Sequence, residues 1–132
     1  MGLPITTNAQ GICFAFPDVC LTPAPPSSPV PIPYPNIGQL SDATGTASTV
    51  LAGGSEVVTS NSSIPTTSGD EAGSSGGVTS GTIKGKVEFI TFSATVFAEG
   101  NNIVRLSDTT TQNDGNAVGT VLGGLPTVLV GG

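Results

Sequence analysis

The stretch "PVPIPYP", which runs from Pro29 to Pro35, has proline at every second position. Proline lacks a backbone N–H group, holds φ near about −65° and drives the residue before it toward extended geometry. In an extended chain, groups at i and i+2 point the same way, so the missing donors all lie along one edge. The stretch is therefore predicted to pair on one side only and to end a sheet. A polyproline ligand for an aromatic groove is the alternative.

The composition of the whole chain predicts an all-β fold. Glycine, threonine, serine and proline make up nearly half of the 132 residues, and strong helix formers occur in no amphipathic run. Such a mixture also occurs in disordered chains, but those combine low hydrophobicity with dense charge. Here only 9% of residues are charged and the mean hydropathy is +0.23. We therefore expect a folded domain made of short strands and tight glycine-rich turns.

Positive charge is scarce. The net charge is −6, histidine is absent, and the cations are Lys84, Lys86 and Arg105. Nucleic acids and anionic membranes need clustered Lys or Arg, so neither is an expected stable partner. No apolar run reaches the ~18 residues that span a bilayer, and the N-terminus lacks the basic and apolar regions of a signal peptide. We expect synthesis in the cytoplasm and export outside the general secretory route.

Two cysteines, Cys13 and Cys20, allow three interpretations. They are small buried apolar residues, they form a disulfide worth about 2.5 kcal/mol if the geometry permits, or they belong to a metal site. A zinc site needs four ligands. Two thiolates without histidine are an incomplete set, so carboxylates or a partner chain would have to complete it.

Two segments give the clearest strand signals. In the first, Ser48–Ala52 and Ser55–Thr59 flank Gly53-Gly54, and a Gly-Gly pair supplies the positive φ values of a tight hairpin turn. The second is Lys84–Ala98, "KGKVEFITFSATVFA", in which the apolar alternation changes phase by one residue after Phe89. That phase change predicts a β-bulge or a strand buried on both faces.

Catalytic motifs are missing, and the protein is predicted not to be an enzyme. There is no histidine for a triad and no phosphate-binding or nucleophile motif. Asp70 and Glu71 are adjacent carboxylates, but neighbours on an extended chain point to opposite faces. A turn with solvated or backbone-capping carboxylates is the preferred interpretation. Arg105 lies among apolar residues and is expected in a structural ion pair with a carboxylate, for which Asp108 is preferred and Asp70 and Glu99 are the alternatives.

Five ordered segments together resemble the PAAR-like domain family of contractile injection systems. The resemblance covers about residues 8 to 116. The segments are Phe16–Pro23 ("FPDVCLTP"), Pro29–Ile37 ("PVPIPYPNI"), Ser68–Gly73 ("SGDEAG"), Gly85–Phe89 ("GKVEF") and Glu99–Asp108 ("EGNNIVRLSD").

The resemblance implies a small conical β-structure on the distal end of a spike. One copy would cap a homotrimeric, VgrG-like spike protein of a type VI secretion machine or an extracellular phage-tail-like particle. The tip would sharpen the spike for membrane puncture, contact the target membrane transiently and leave the cell when the particle fires. In this interpretation residues 1–116 form the spike-tip domain, with an extended proline-rich segment at 17–35. Residues 117–132 are a short extension, too short for a toxin domain.

The resemblance also raises the question of a metal. Many members of the family hold one near the apex with histidine and cysteine, and the matching segment here has Gln112 where the histidine is expected. Glutamine is a poor zinc ligand, and Cys20, which matches the cysteine of the family motif, cannot complete a tetrahedral site with Cys13 alone. We expect a tip without zinc or any other cofactor, held by packing and by a Cys13–Cys20 bridge if one forms.

Docking to a trimeric spike requires an apolar face. The candidates are Val30, Ile32, Tyr34, Ile90 and Phe92, each of which could equally belong to the core. The leading hypothesis is a non-enzymatic spike-tip protein. The alternative is an adaptor or effector that the same machine carries.

Overall fold

The computed structural model describes residues 2–132, and the chain in that range is built from β-strands and turns. The predicted all-β fold is confirmed. Its strands are β1 (Leu3–Ile5), β2 (Ile12–Ala24), β3 (Ser27–Gln39), β4 (Ala47–Ala52), β5 (Ser55–Val57), β6 (Ser63–Ile64), β7 (Gly76–Gly77), β8 (Val87–Phe89), β9 (Phe97–Ala98), β10 (Asn101–Asn102), β11 (Thr109–Gln112), β12 (Ala117–Leu122) and β13 (Leu125–Val130). A short 3-10 turn, Leu40–Asp42, follows β3.

Seven strands form the main sheet, in which every pairing is antiparallel. The order is β3-β2-β12-β11-β8-β6, and β7 pairs with Cys20 and Leu21 of β2. The longest strands are β2 and β3, at 13 residues each, and the chain reverses between Ala24 and Ser27. The proline-rich segment is therefore a hairpin rather than one extended piece.

The structure places the proline stretch at the edge of the main sheet. Val30 and Ile32 lie opposite Thr22 and Cys20 of β2. The prolines between and around them lack an N–H group, so the outer edge of β3, which faces away from β2, has no hydrogen-bond donor at these positions. Two residues after Pro35 the outer side of β3 does form a hydrogen bond, because the N–H of Ile37 donates to the carbonyl of Ser68. Pairing on the outer edge thus begins where the prolines end.

Residues 117–132 pack with the domain instead of extending from it. Strand β12 lies in the middle of the main sheet, between β2 and β11, and β13 pairs with β1. The domain boundary predicted at residue 116 falls between β11 and β12, which are neighbouring strands of this sheet. The cause of this packing is pairing on both sides: β12 has alternating buried and exposed residues, β11 pairs with one of its edges, and β2, more than 90 residues away in sequence, pairs with the other.

The predicted hairpin around Gly53-Gly54 is confirmed. Ala52 pairs with Ser55, and both glycines have positive φ, at 61° and 84°. These values match the tight hairpin turns whose twist suits flanking strands. The pair β4-β5 forms its own two-stranded sheet.

The long strand predicted over Lys84–Ala98 is wrong. Regular strand covers only β8 and, later, β9. At the predicted phase change the N–H groups of Ile90 and Thr91 both donate to the carbonyl of Thr109, two residues against one. Strand β8 ends at this irregularity, and the chain beyond it has no continuous partner.

Two apolar clusters form the core. The first, here called the main core, joins residues of the main sheet to Leu40, Val58 and Val104, which lie outside the strands. It contains Cys13, Leu40, Val58, Ile64, Val87, Phe89, Val104 and Val121. The second joins the β1-β13 and β4-β5 pairs through Ile5, Ala47, Ala52, Val57, Ala98, Ile103 and Val130.

Candidate functional site: a buried polar cluster

A group of buried polar side chains lies beside the second half of β2, away from the main core. Asp18, Cys20 and Asp70 are buried, and one atom from each that could ligate a metal, a carboxylate oxygen or Sγ, lies within 4.8 Å of the other two. Asp18 and Cys20 are two positions apart on β2, so their side chains share a face. Asp70 comes from the turn after the Ile37–Ser68 bridge, which brings that loop back to the sheet. We call these three residues and the polar side chains that contact them the polar cluster.

Asp18 is at its centre. Its Oδ1 accepts hydrogen bonds from Cys20 Sγ at 3.5 Å, from Asn113 Nδ2 at 3.2 Å and from Asn116 Nδ2. Its Oδ2 is the one buried side-chain oxygen or nitrogen without a partner in the described part of the chain. Buried polar atoms are nearly always paired, so this oxygen requires an explanation.

Asp70 is held by backbone and side-chain donors. The N–H of Lys84 lies 3.1 Å from Oδ1 and 3.3 Å from Oδ2, and Asn36 Nδ2 lies 3.3 Å from Oδ2. Burial, together with the nearby carboxylate of Asp18, raises the pKa of Asp70 to about 7. The Lys84 N–H opposes it. Asp70 therefore takes up a proton far more readily than an ordinary aspartate.

The two cysteines are free buried thiols. Burial raises the pKa of Cys13 to about 12. At Cys20, burial together with the neighbouring charges of Asp18 and Asp70 raises the pKa to about 12. They lie seven positions apart on β2, which separates them by on the order of 20 Å, far beyond the ~6 Å that a disulfide spans between Cα atoms. The Cys13–Cys20 bridge considered from the sequence is therefore not formed.

Gln112, the residue at the expected histidine position, is fully buried but does not bind the three central residues. Its Nε2 donates to the Cys13 carbonyl at 3.2 Å and to the carbonyl and Oδ1 of Asn36 at 3.0 and 2.9 Å. Its Oε1 accepts from the Thr110 hydroxyl. The side chain thus ties β11 to β2 and β3.

Other predicted residues take separate places. Arg105 forms a bidentate pair with Asp108, with Nε–Oδ2 at 3.1 Å and Nη2–Oδ1 at 3.0 Å, and this raises the pKa of the guanidinium. Asp70 and Glu71 diverge: Glu71 is exposed, and hydrogen bonds from its own backbone N–H and from that of Gly69 lower its pKa. These two carboxylates form no acid/base pair.

The docking candidates do not form one surface. Val30, Ile32 and Ile90 are exposed, whereas Tyr34 and Phe92 are half-buried, and Phe92 packs against the main core. Strand β3 and the end of β8 are separated in the sheet by β2, β12 and β11. The β3 edge and Ile90 are thus two distinct apolar positions.

Sequence reasoning missed the cluster itself. Its polar residues are far apart in the sequence and follow no common pattern, and only the folded chain brings them together: Asp18, Asn36, Asn113 and Asn116. The available signal was the spacing of Asp18 and Cys20, which places both on the buried face of one strand.

No helix in residues 2–132 has the length and apolar character needed to cross a membrane.

Comparison with known proteins identifies the family. The family model described as "Toxin PAAR-like domain" matches residues 11–119. The chain belongs to the Toxin PAAR-like domain family. This confirms the resemblance noted from the sequence. No solved structure matches the chain.

The PAAR-like domain also matches the DNase toxin Tse7 of Pseudomonas aeruginosa, at 46% identity over 112 residues. The match covers 80% of this chain and 29% of the relative. It overturns the prediction that the protein is not an enzyme, because the relative is a DNase toxin. The relative's name refers to DNA, whereas the charge of this chain predicted that nucleic acid is not a partner.

The polar cluster is where a metal implied by the PAAR-like resemblance would have to lie. Asp18, Cys20 and Asp70 offer three donors, but no histidine exists and Gln112 is engaged elsewhere. Side-chain N–H groups are already directed at Asp18 and Cys20. A cation and an N–H donor cannot share the lone pairs of Asp18 Oδ1 or Cys20 Sγ, and Asp18 Oδ2 is the one ligand atom of the three residues that no donor faces. The residues present therefore do not fit a metal centre of the expected kind.

Proposed function

We propose that the protein is a spike-associated effector of a contractile injection system. In this proposal the PAAR-like domain binds the trimeric spike, and the effector that contains it is a DNase toxin. The observation that carries the proposal is the 46% identity over 112 residues to a DNase toxin, within a family described as toxin-associated. It favours the effector alternative over a purely structural spike tip.

Spike attachment is supported by the surface that the proline edge leaves open. Val30 and Ile32 are 42% and 37% exposed, on a strand whose outer edge offers no donor at the prolines. Such an edge does not recruit another strand, so contact there depends on side chains. We assign spike binding to this position and retain a stoichiometry of one chain per spike trimer.

DNA contact is a less natural role for the surface of this domain. Lys84 and Lys86 are exposed, but Arg105 is paired with Asp108, and the net charge is −6. Phosphate binding requires clustered cations. We therefore assign attachment and delivery to the PAAR-like domain and DNase activity to the effector as a whole.

Co-purification with a VgrG-like trimeric spike protein from the same genome tests attachment. Native mass spectrometry is expected to show one chain per three spike chains. Val30→Asp combined with Ile32→Asp is expected to weaken the complex at least about tenfold without changing the melting temperature. Val118→Asp, at a residue that is 64% exposed on β12, is the matched control. A wild-type chain that fails to bind the spike would refute attachment.

Plasmid degradation tests the toxin assignment independently. The full protein, as its gene encodes it, is incubated with supercoiled DNA and Mg²⁺. Loss of the supercoiled band is expected, with EDTA as the control. Intact DNA under these conditions would refute the DNase assignment while leaving spike binding to the first experiment.

A further inference from the structure

The orientation of one asparagine side chain in the polar cluster is fixed by its neighbours. Asn113 Oδ1 accepts the N–H of Gly85 at 2.8 Å and the hydroxyl of Thr82 at 3.2 Å. Because a backbone N–H can only donate, the oxygen must face Gly85. Nδ2 then faces the Thr82 carbonyl at 2.8 Å, Asp18 Oδ1 at 3.2 Å and Cys20 Sγ at 3.9 Å.

A second asparagine is fixed in the same way. Asn116 Oδ1 accepts two backbone N–H groups, from Thr79 at 2.8 Å and from Ser80 at 3.1 Å. Its Nδ2 is therefore turned toward Asp18 Oδ1 and the Val19 carbonyl. Neither carboxamide can present its oxygen to the centre of the cluster without stranding backbone donors.

The backbone around these carboxamides is shaped to hold them. Asn113, Asp114 and Gly115 have positive φ values of 51°, 55° and 88°, and Asn tolerates that conformation better than most residues. Any side chain at Gly77 would collide with the Asn116 carboxamide. The turn and this glycine place the two amides against Asp18 independently of any bound ion.

We propose that the carboxamides of Asn113 and Asn116, and not a metal ion, occupy the binding positions around Asp18 and Cys20. Asp18 Oδ1 receives three donors, which uses its capacity as an acceptor. The amides link β2 to the turn after β11 and to the loop at Thr79–Thr82, as a metal would by coordination. This domain therefore has a metal-free interior at the site where the family resemblance implies a metal.

One oxygen of the cluster has no donor. Asp18 Oδ2 is buried and unpartnered in the described part of the chain, whereas Asp18 Oδ1, Cys20 Sγ and both oxygens of Asp70 face N–H donors. A single free oxygen cannot hold a tetrahedral zinc ion.

Metal content and chelation test the proposal on the unmodified chain. The protein is produced in medium supplemented with ZnCl₂, and its metal content is measured by mass spectrometry. Well under one equivalent of any transition metal is expected, and EDTA is expected to leave the melting temperature unchanged. One equivalent of bound metal, or a melting temperature that EDTA lowers and zinc restores, would overturn the proposal.

The variant Asn113→Asp further distinguishes a metal-free cluster from a metal centre. Aspartate keeps the shape and tolerates the same φ, but it replaces the N–H₂ donor with an oxygen facing Asp18. Without a metal, the uncompensated charge is expected to lower the melting temperature by about 10 °C. With a metal, the new carboxylate would be an extra ligand, and the variant would melt at or above the wild-type temperature in zinc.

Asn61→Asp is the matched control, because Asn61 is exposed and should tolerate the same change. If Asn113→Asp fails to fold, Asn116→Asp, at a half-buried position, provides the same comparison. The metal content of the wild-type chain decides the proposal in either case.

Discussion

The two ends of β2 bury the same residue type in opposite surroundings. Cys13 lies in the main core with residues such as Leu40 and Val121. Cys20, on the same strand, donates to Asp18 and lies near Asp70. Burial alone raises the pKa of the first thiol, whereas burial and negative charge together raise that of the second.

This difference shows that one strand can join two kinds of interior. The Cys13 end is stabilised by apolar burial, which is non-directional and depends on filled volume. The Cys20 end is stabilised by hydrogen bonds whose donors must point at particular oxygens. Gln112 lies at the junction, since it bonds the Cys13 carbonyl on one side and Asn36 on the other.

The largest effect is expected from a cavity at the apolar end. Leu40 is fully buried in the main core. Leu40→Ala should lower the free energy of unfolding by about 2–5 kcal/mol, measured by urea denaturation. Leu51→Ala, at a residue that is 57% exposed, is the control and should change little. Equal effects would contradict the assignment of Leu40 to the core.

A pH dependence is expected from the polar end. Asp70 has its ordinary pKa of 3.8 when unfolded and about 7 when folded, so the folded chain alone holds a proton between those values. The resulting stability is present below about pH 4 and is lost as the pH rises through about 7. The melting temperature should fall by several degrees over this range.

Asp70→Asn is the control for that titration, because the amide does not ionise. The variant should show a flatter profile between pH 4 and 7 than the wild type, as followed by circular dichroism during heating. An unchanged slope in the variant would assign the dependence to another group.

The next largest loss of stability is expected at Gln112, where the apolar and polar interiors meet. Gln112→Met keeps the volume but removes the donor to three buried oxygens, those of Cys13 and Asn36. The expected loss is about 1–3 kcal/mol of unfolding free energy. Gln39→Met on exposed β3 should be near neutral. A neutral Gln112→Met would mean that these hydrogen bonds add nothing to stability.

The smallest effect is expected at Cys20, and a matched pair of serine variants compares the two ends of β2 directly. Cys13→Ser places a hydroxyl among apolar side chains and should cost about 1–3 kcal/mol. Cys20→Ser should cost less than about 0.5 kcal/mol, because a hydroxyl can donate to Asp18 as the thiol does. Both are read by chemical denaturation. The reverse ranking would refute the assignment of the two ends.

Much of the fold follows from local signals. Glycine-rich turns and scarce helix formers predict β-structure, and Gly53-Gly54 predicts its hairpin correctly. The alternate prolines predict an edge because each removes a donor from the same side of the strand. These inferences succeed because each depends on the conformations or donors of the residues involved.

The polar cluster and the position of β12 could not be found this way. Asp18 and Asn113 are 95 positions apart, and nothing in either residue predicts their contact. Lys84–Ala98 has strand-like residues, yet the partner strand runs out and the ladder stops at Phe89. Short-range chemistry therefore decides strand type, turn and edge. Pairing between distant segments decides which strands are central, and where a buried carboxylate finds its donors.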